Sequence, residues 1–248
     1  FHNSQKSLNN VRIYKFAILI NLKELNLNDC FVGRKGEIPT SLDSLAITLI
    51  QLKIKKLDLS NNALSISGAQ SLSSFLEKAT DLESLLIYNC GLGIDGSTII
   101  SKAMKGNVKN LKIFAIARNR IESQGAMKIS EFFSECTTLK EVYVFQNFIR
   151  DDGISAIFNS LFGCSDLTIL DVSDNYVKVE ASKSLSSLLL VTPNLNLLNI
   201  SDCNIEEDMN KIIVQAISVI PFQYNERKEN INGPKLDTIT TNCHITMP

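Results

Sequence analysis

The stretch Leu111-Lys-Ile-Phe-Ala-Ile-Ala-Arg-Asn-Arg-Ile121 decides how the rest of the chain is read. Apolar residues at 111, 114, 116 and 121 frame an asparagine at 119, the spacing Leu-x-x-Leu-x-Leu-x-x-Asn/Cys-x-Leu with conservative swaps. Toward the N-terminus the spacing returns at Leu82, Leu85, Ile87, Cys90, Leu92, at Ile54, Leu57, Leu59, Asn62, Leu64, and at Leu22, Leu25, Leu27, Cys30, Val32. Toward the C-terminus it returns at Leu139, Val142, Val144, Asn147, Ile149, at Leu167, Leu170, Val172, Asn175, Val177, and at Leu195, Leu198, Ile200, Cys203, Ile205. The seven copies begin at residues 22, 54, 82, 111, 139, 167 and 195, so the period is 28 or 29 residues after a longer first copy.

Each position has a physical reading. The period-2 apolar pair marks a short strand with one buried face. The Asn or Cys follows where the chain leaves the strand, and its side chain can bond backbone groups that the turn would leave unpaired. Six residues later stands Gly68, Gly96, Gly125 or Gly153, and apolar residues follow four and eight positions on, as in Leu72 and Leu76 or Ile129 and Phe133. That stripe is one face of a helix packed on the strand layer. In the sixth and seventh copies Ala181 and Met209 replace the glycine, so a different turn geometry is expected there. A recurring strand, turn and helix of this length is the long leucine-rich repeat. The expected fold is an α/β leucine-rich-repeat solenoid, a ribonuclease-inhibitor-like horseshoe with parallel strands inside and helices outside. Residues 1–21 are expected to cap the first strand with a helix from Val11 to Ile20. Residues 22–221 form the repeat domain. Residues 222–248 are expected to be a loosely ordered tail, because the period is lost after Pro221 and Asn, Gly and Pro become frequent.

Composition narrows the function. The 248 residues carry a formal net charge of -1, with 44% hydrophobic residues and 21% charged ones. This composition excludes a disordered chain, and the charge balance excludes counterion-release binding to nucleic acid as the main activity. No run approaches the roughly 20 apolar residues of a membrane span. Of 6 cysteines none forms a Cys-x-x-Cys pair, so no zinc site is expected. Five of them fall on repeat-equivalent positions, which favours buried thiols in a reducing compartment. Asn199-Ile-Ser201 matches a glycosylation sequon but lies in a predicted strand, where chance is the better reading. His2 and His244 sit in the tails, away from any nucleophile arrangement. Asp171 and Asp174 read as solvent-facing strand and turn residues, and no cofactor or metal is expected.

The first copy is about four residues longer than the others, and the excess falls in Phe31-Val-Gly-Arg-Lys-Gly-Glu-Ile-Pro39. Gly33 beside Arg34 and Lys35, with Pro39 ahead of a helix from about Thr40 to Leu52, reads as a protruding basic loop pinned at its exit. The segment resembles the Phe-Thr-Gly-Arg-x-x-x-Glu-Ile-Pro segment of RanGAP, the activating protein of the Ran GTPase. The resemblance continues in order. Leu82 to Gly96 is similar to the family's Leu-x-Asn-Asn/Cys-Gly-hydrophobic-Gly segment, Leu111 to Gly125 to its Gly-Arg-Asn-Arg-Leu-Glu segment, and Val142 to Gly153 to its Gln-Asn-Gly-Ile segment. It covers about residues 22–205. Departures are Val32 in place of Thr, Gly36 in place of a second basic residue, Ala117 in place of Gly, fewer repeats, and a tail of mixed charge.

The resemblance implies a function and a site. The implied activity is stimulation of GTP hydrolysis on a Ran-like small GTPase in its GTP form, by orienting that GTPase's own catalytic glutamine. The chain itself would be no hydrolase and would act as a monomer in the cytoplasm or at the nuclear periphery. Arg34 and Asn89 match the family's functional residues and are the candidate catalytic positions. Lys35, Arg118, Arg120 and Gln146 are the candidate partner contacts. The alternatives are a leucine-rich-repeat binding module without activating function, similar in repeat length to ribonuclease inhibitor, and the repeat region of a larger receptor. The absence of Trp argues against a binding module with aromatic anchors on the open face of the strands.

Overall fold

In every copy the pattern folds into three strand residues, a turn and a helix. The computed structural model describes residues 21–31, 38–226 and 238–240. The strands are β1 (Glu24–Asn26), β2 (Lys56–Asp58), β3 (Ser84–Leu86), β4 (Ile113–Ala115), β5 (Glu141–Tyr143), β6 (Ile169–Asp171), β7 (Leu197–Asn199) and β8 (Thr238–Thr240). Between them run α1 (Ile38–Leu52), α2 (Ser65–Leu76), α3 (Gly93–Met104), α4 (Glu122–Phe133), α5 (Asp151–Ser160), α6 (Val179–Val191) and α7 (Glu207–Glu226). The strands pair in parallel in chain order, and each helix packs on its sequence neighbours. This is the expected α/β leucine-rich-repeat solenoid. The expected helix at 11–20 and the loop at 32–37 lie outside the described residues. The boundary set at 221 falls within α7, and Thr238–Thr240 extends the sheet beside β7.

The core sits between the two layers. The central residue of each strand from β2 to β7 points inward and is buried: Leu57, Leu85, Phe114, Val142, Leu170 and Leu198. At the middle of the stack Phe114 meets Phe132 and Phe133 edge-on, with ring centroids 5.1 and 5.5 Å apart. Such edge-to-face packing adds about 1 kcal/mol beyond the area buried.

The asparagines tie the repeats to one another. Asn119 Oδ1 accepts the backbone N–H groups of Cys90 (2.9 Å) and Leu92 (3.3 Å) from the preceding repeat. Its Nδ2 donates to the carbonyls of Ile87, Ile116 and Ala117. Asn147 accepts from Asn119 N, and Asn175 accepts from the backbone N–H groups of Asn147 and Ile149. Where Cys takes this position the thiol donates instead, as Cys90 does to the carbonyls of Leu59 and Tyr88. Burial pushes the Cys90 thiol up to about 12, so it stays protonated at neutral pH. Cys136, Cys164 and Cys203 are buried as expected, but Cys30 is exposed. It lies on the first repeat, where β1 is covered by a neighbour on one side only among the described residues.

The glycine after each turn is needed where helices approach closely. A Cβ built on Gly153 would stand 2.6 Å from Ile149 Cγ2 and 2.7 Å from the Cα of Ser123. Gly153→Ala is therefore expected to destabilise the protein by about 2 kcal/mol through overpacking, measured by urea unfolding. In repeat six, where Ala181 stands in place of the glycine, the start of α6 is held by the neighbouring repeat. The carboxylate of Asp151, at the start of α5, accepts the N–H groups of Lys178, Glu180 and Ala181 and so caps α6.

Candidate functional site

The turn leaving each strand repeats one backbone device. Asp29, Asn61, Asn89, Arg118, Gln146, Asp174 and Asp202, each just before the Asn or Cys of the pattern, all have φ between 49° and 59°. Each of the first six donates its N–H to the next repeat: Asn61 to Tyr88 O at 2.8 Å, Asn89 to Ala117 O at 3.0 Å, Arg118 to Phe145 O at 3.0 Å. The bond fixes the left-handed turn and turns the side chain outward along one rim of the sheet. Asn and Asp tolerate this conformation better than most residues. The rim therefore reads, from repeat one to repeat seven, acid, amide, amide, cation, amide, acid, acid.

Asn89, Arg118 and Gln146 lie side by side on this row and all are exposed. Arg120 stands two residues further on, also at positive φ, in line with Gly91 and Phe148 rather than with Arg118. Arg34 and Lys35 lie outside the described residues. The sequence-derived site is thus one row of three, one flanking arginine, and a loop whose placement is not part of this geometry.

Asn89 is the most constrained of the three. Its Nδ2 donates to Asn61 Oδ1 at 3.0 Å, and Asn61 Nδ2 donates in turn to Asn28 Oδ1 at 3.3 Å. The Asn89 amide N–H is thus engaged by Asn61, which leaves its Oδ1 as the remaining acceptor. No group among the described residues donates to that oxygen. The result is an amide acceptor held on a fixed turn, beside an open cavity of about 450 Å³ lined by Asn61, Asn62, Ala63, Ser65, Asn89, Cys90 and Gly91. Asn28 and Asn61 were not singled out in the sequence. Their signal was present in the recurrence of an amide one or two residues ahead of the Asn/Cys position in the first three repeats.

The open face of the sheet behind the rim corrects one expectation. Although Trp is absent, three aromatic side chains meet there: Tyr88 lies 6.4 Å from Tyr143 and 5.8 Å from Phe145, centroid to centroid. Ala115 and Ala117 lie between them and are fully covered. Asp171 is half-buried on the same face and accepts from Ser173 and from Asn199 Nδ2 at 3.0 Å, so the sequon amide is engaged within the sheet. No group of potential metal ligands occurs among the described residues, and none of the described helices is long and apolar enough to cross a membrane.

A short-period parallel sheet backed by one helix per repeat, stitched by buried asparagines, defines a leucine-rich-repeat protein. The family model for the Leucine Rich repeat matches residues 52–73 and 135–158. Among curated proteins the chain is similar to Ran GTPase-activating proteins, which bears out the resemblance drawn from the sequence. It is 37% identical to Ran GTPase-activating protein 1 of Xenopus laevis over 139 residues, 50% of this chain and 24% of that protein. It is 35% identical to the Ran GTPase-activating protein of Drosophila melanogaster over 130 residues, 47% of this chain and 22% of that protein. The match thus spans about a quarter of the length of these relatives. Among solved structures, the tropomodulin C-terminal domain of Caenorhabditis elegans shares the fold, with a TM-score of 0.51 at 16% identity, over 64% of this chain and 96% of that one.

Proposed function

We propose that this chain stimulates GTP hydrolysis on a Ran-like small GTPase. The observation that carries the reading is the 37% identity to a Ran GTPase-activating protein over 139 residues. The rim residues support this reading. The GTPase holds the nucleotide, its Mg²⁺ and the glutamine that orients the attacking water. An activator that inserts no side chain of its own into the chemistry acts by fixing that glutamine in one productive position. Asn89 is suited to this task, because its Oδ1 is an exposed residue's remaining acceptor for an amide N–H and its own amide is anchored to Asn61. Arg118 and Gln146 extend the contact along the rim, and Arg120 borders it. Arg34 and Lys35 of the first-repeat loop are assigned to docking and charge stabilisation at the rim. The chain needs no cofactor for this role, works as a monomer, and would meet the GTP form of its partner in the cytoplasm or at the nuclear periphery.

Single-turnover hydrolysis by GTP-loaded Ran, with and without the protein, tests the reading. Acceleration by at least two orders of magnitude is expected. A well-folded protein that leaves the intrinsic rate unchanged at tens of micromolar would reject it in favour of a binding module without activating function.

A further inference from the structure

The strand register places charges and rings on the open face in one continuous row. Asp58, Leu86, Ala115, Tyr143 and Asp171 are successive partners across β2 to β6. A carboxylate therefore stands at each end of a row about 20 Å long, four strand spacings, with Tyr143 next to one of them. One pleat further toward the rim stand Tyr88, Ala117 and Phe145. The rings belong to repeats three and five, whose strands lie about 10 Å apart. They reach each other because repeat four presents only Ala115 and Ala117 beneath them. The small residue at 117 is thus a condition for the aromatic contact.

Carboxylates border these rings. Tyr143 donates its hydroxyl to Glu141 Oε2 at 2.9 Å. Burial, and then the carboxylates of Asp171, Asp58 and Glu141, push the Tyr88 hydroxyl up to about 12. The cation in the neighbouring row, Lys56, is held by Glu24 at 2.8 Å. Half-buried rings ringed by carboxylates fit a cationic side chain, which ring faces and acids attract together.

We propose that Tyr88, Tyr143 and Phe145 form a platform for a lysine or arginine side chain of the bound GTPase, a second contact behind the rim. This rests on the function proposed above. Continuity supports it: Tyr88 precedes Asn89, Ala117 precedes Arg118, and Phe145 precedes Gln146. A partner seated on the rim row is one residue away from the platform, and a basic side chain reaching inward meets rings and acids together. The rim sets the geometry of the reaction, and the platform sets affinity.

The test separates the two roles. Single-turnover hydrolysis by GTP-loaded Ran is followed over a range of concentrations of the wild type, of the double variant Tyr88→Ala/Phe145→Ala, and of Glu141→Gln. The double variant is expected to raise the half-saturating concentration about tenfold with the plateau rate retained. Glu141→Gln is expected to raise it less and to flatten its dependence on salt. An unchanged half-saturating concentration in a double variant whose circular dichroism and melting match the wild type overturns the platform while leaving the activating function in place. If the wild type itself gives no acceleration, the functional reading fails. The platform is then judged by tyrosine emission on titration with the peptide acetyl-Gly-Arg-Gly-Arg-Gly-amide. A saturable change lost in the double variant supports a cation site, and no change overturns it.

Discussion

Asn119→Ala is expected to lower the stability of the solenoid by about 4 kcal/mol, because it removes a cluster of buried hydrogen bonds at once. The backbone N–H of Cys90 loses its acceptor, that of Leu92 likewise, and three carbonyls lose a donor. Asn119 is 1% exposed, so water does not replace these partners without opening the turn. For a chain of this size the loss corresponds to about 10 °C in melting temperature. Asn119→Cys is the informative companion. The chain itself uses Cys at the equivalent positions 90 and 203, where the thiol donates to a carbonyl. A thiol restores a donor but is a weak acceptor, so the cysteine variant is expected to fall between wild type and alanine. Equal melting temperatures for alanine and wild type, by calorimetry, would remove the ladder from its central place in the account of stability.

Asn89→Ala is expected to reduce the acceleration of Ran's single-turnover GTP hydrolysis about a hundredfold at saturating protein, the scale of losing one positioning or polarising group at a reaction centre. The variant carries a structural cost of its own. Asn89 has φ of 49°, and alanine in that region costs about 1 kcal/mol. Asn89→Gly avoids this cost, since glycine takes positive φ freely. Both variants are expected to lose acceleration alike while differing in stability. If glycine restores the rate that alanine loses, the effect belongs to the backbone of the turn and the side-chain Oδ1 has no role.

The repeat architecture was legible because each buried position recurs. Leu57, Leu85, Phe114, Val142, Leu170 and Leu198 share one place in the pattern, and repetition turns a weak local signal into a strong one. The rim was partly legible. Asn89 and Gln146 stood out by resemblance, but the amide chain through Asn61 to Asn28 depends on side chains 28 and 33 residues apart meeting across repeats. The aromatic platform was not legible. Tyr88, Tyr143 and Phe145 lie in different repeats, and only the parallel register, with two alanines on the strand between, brings the rings together. Composition misled there, because the absence of Trp said nothing about where Tyr and Phe converge. Ala181 was visible as a departure in repeat six, but the carboxylate of repeat five that caps α6 was not, because it lies in the neighbouring unit.

The asparagine bonds have a direction. Asn119 satisfies donors of the repeat before it, Asn147 satisfies Asn119, and Asn175 satisfies Asn147. A repeat leaving the ribosome is therefore unfinished until its successor emerges. The third repeat, with open N–H groups at Cys90 and Leu92, waits about 28 residues of synthesis for Asn119 to close it. At roughly 5–20 residues per second, each repeat spends a second or more in that state. The nascent chain folds one repeat behind its own synthesis, and slowing translation between repeats would lengthen the time that its most exposed edge stays open.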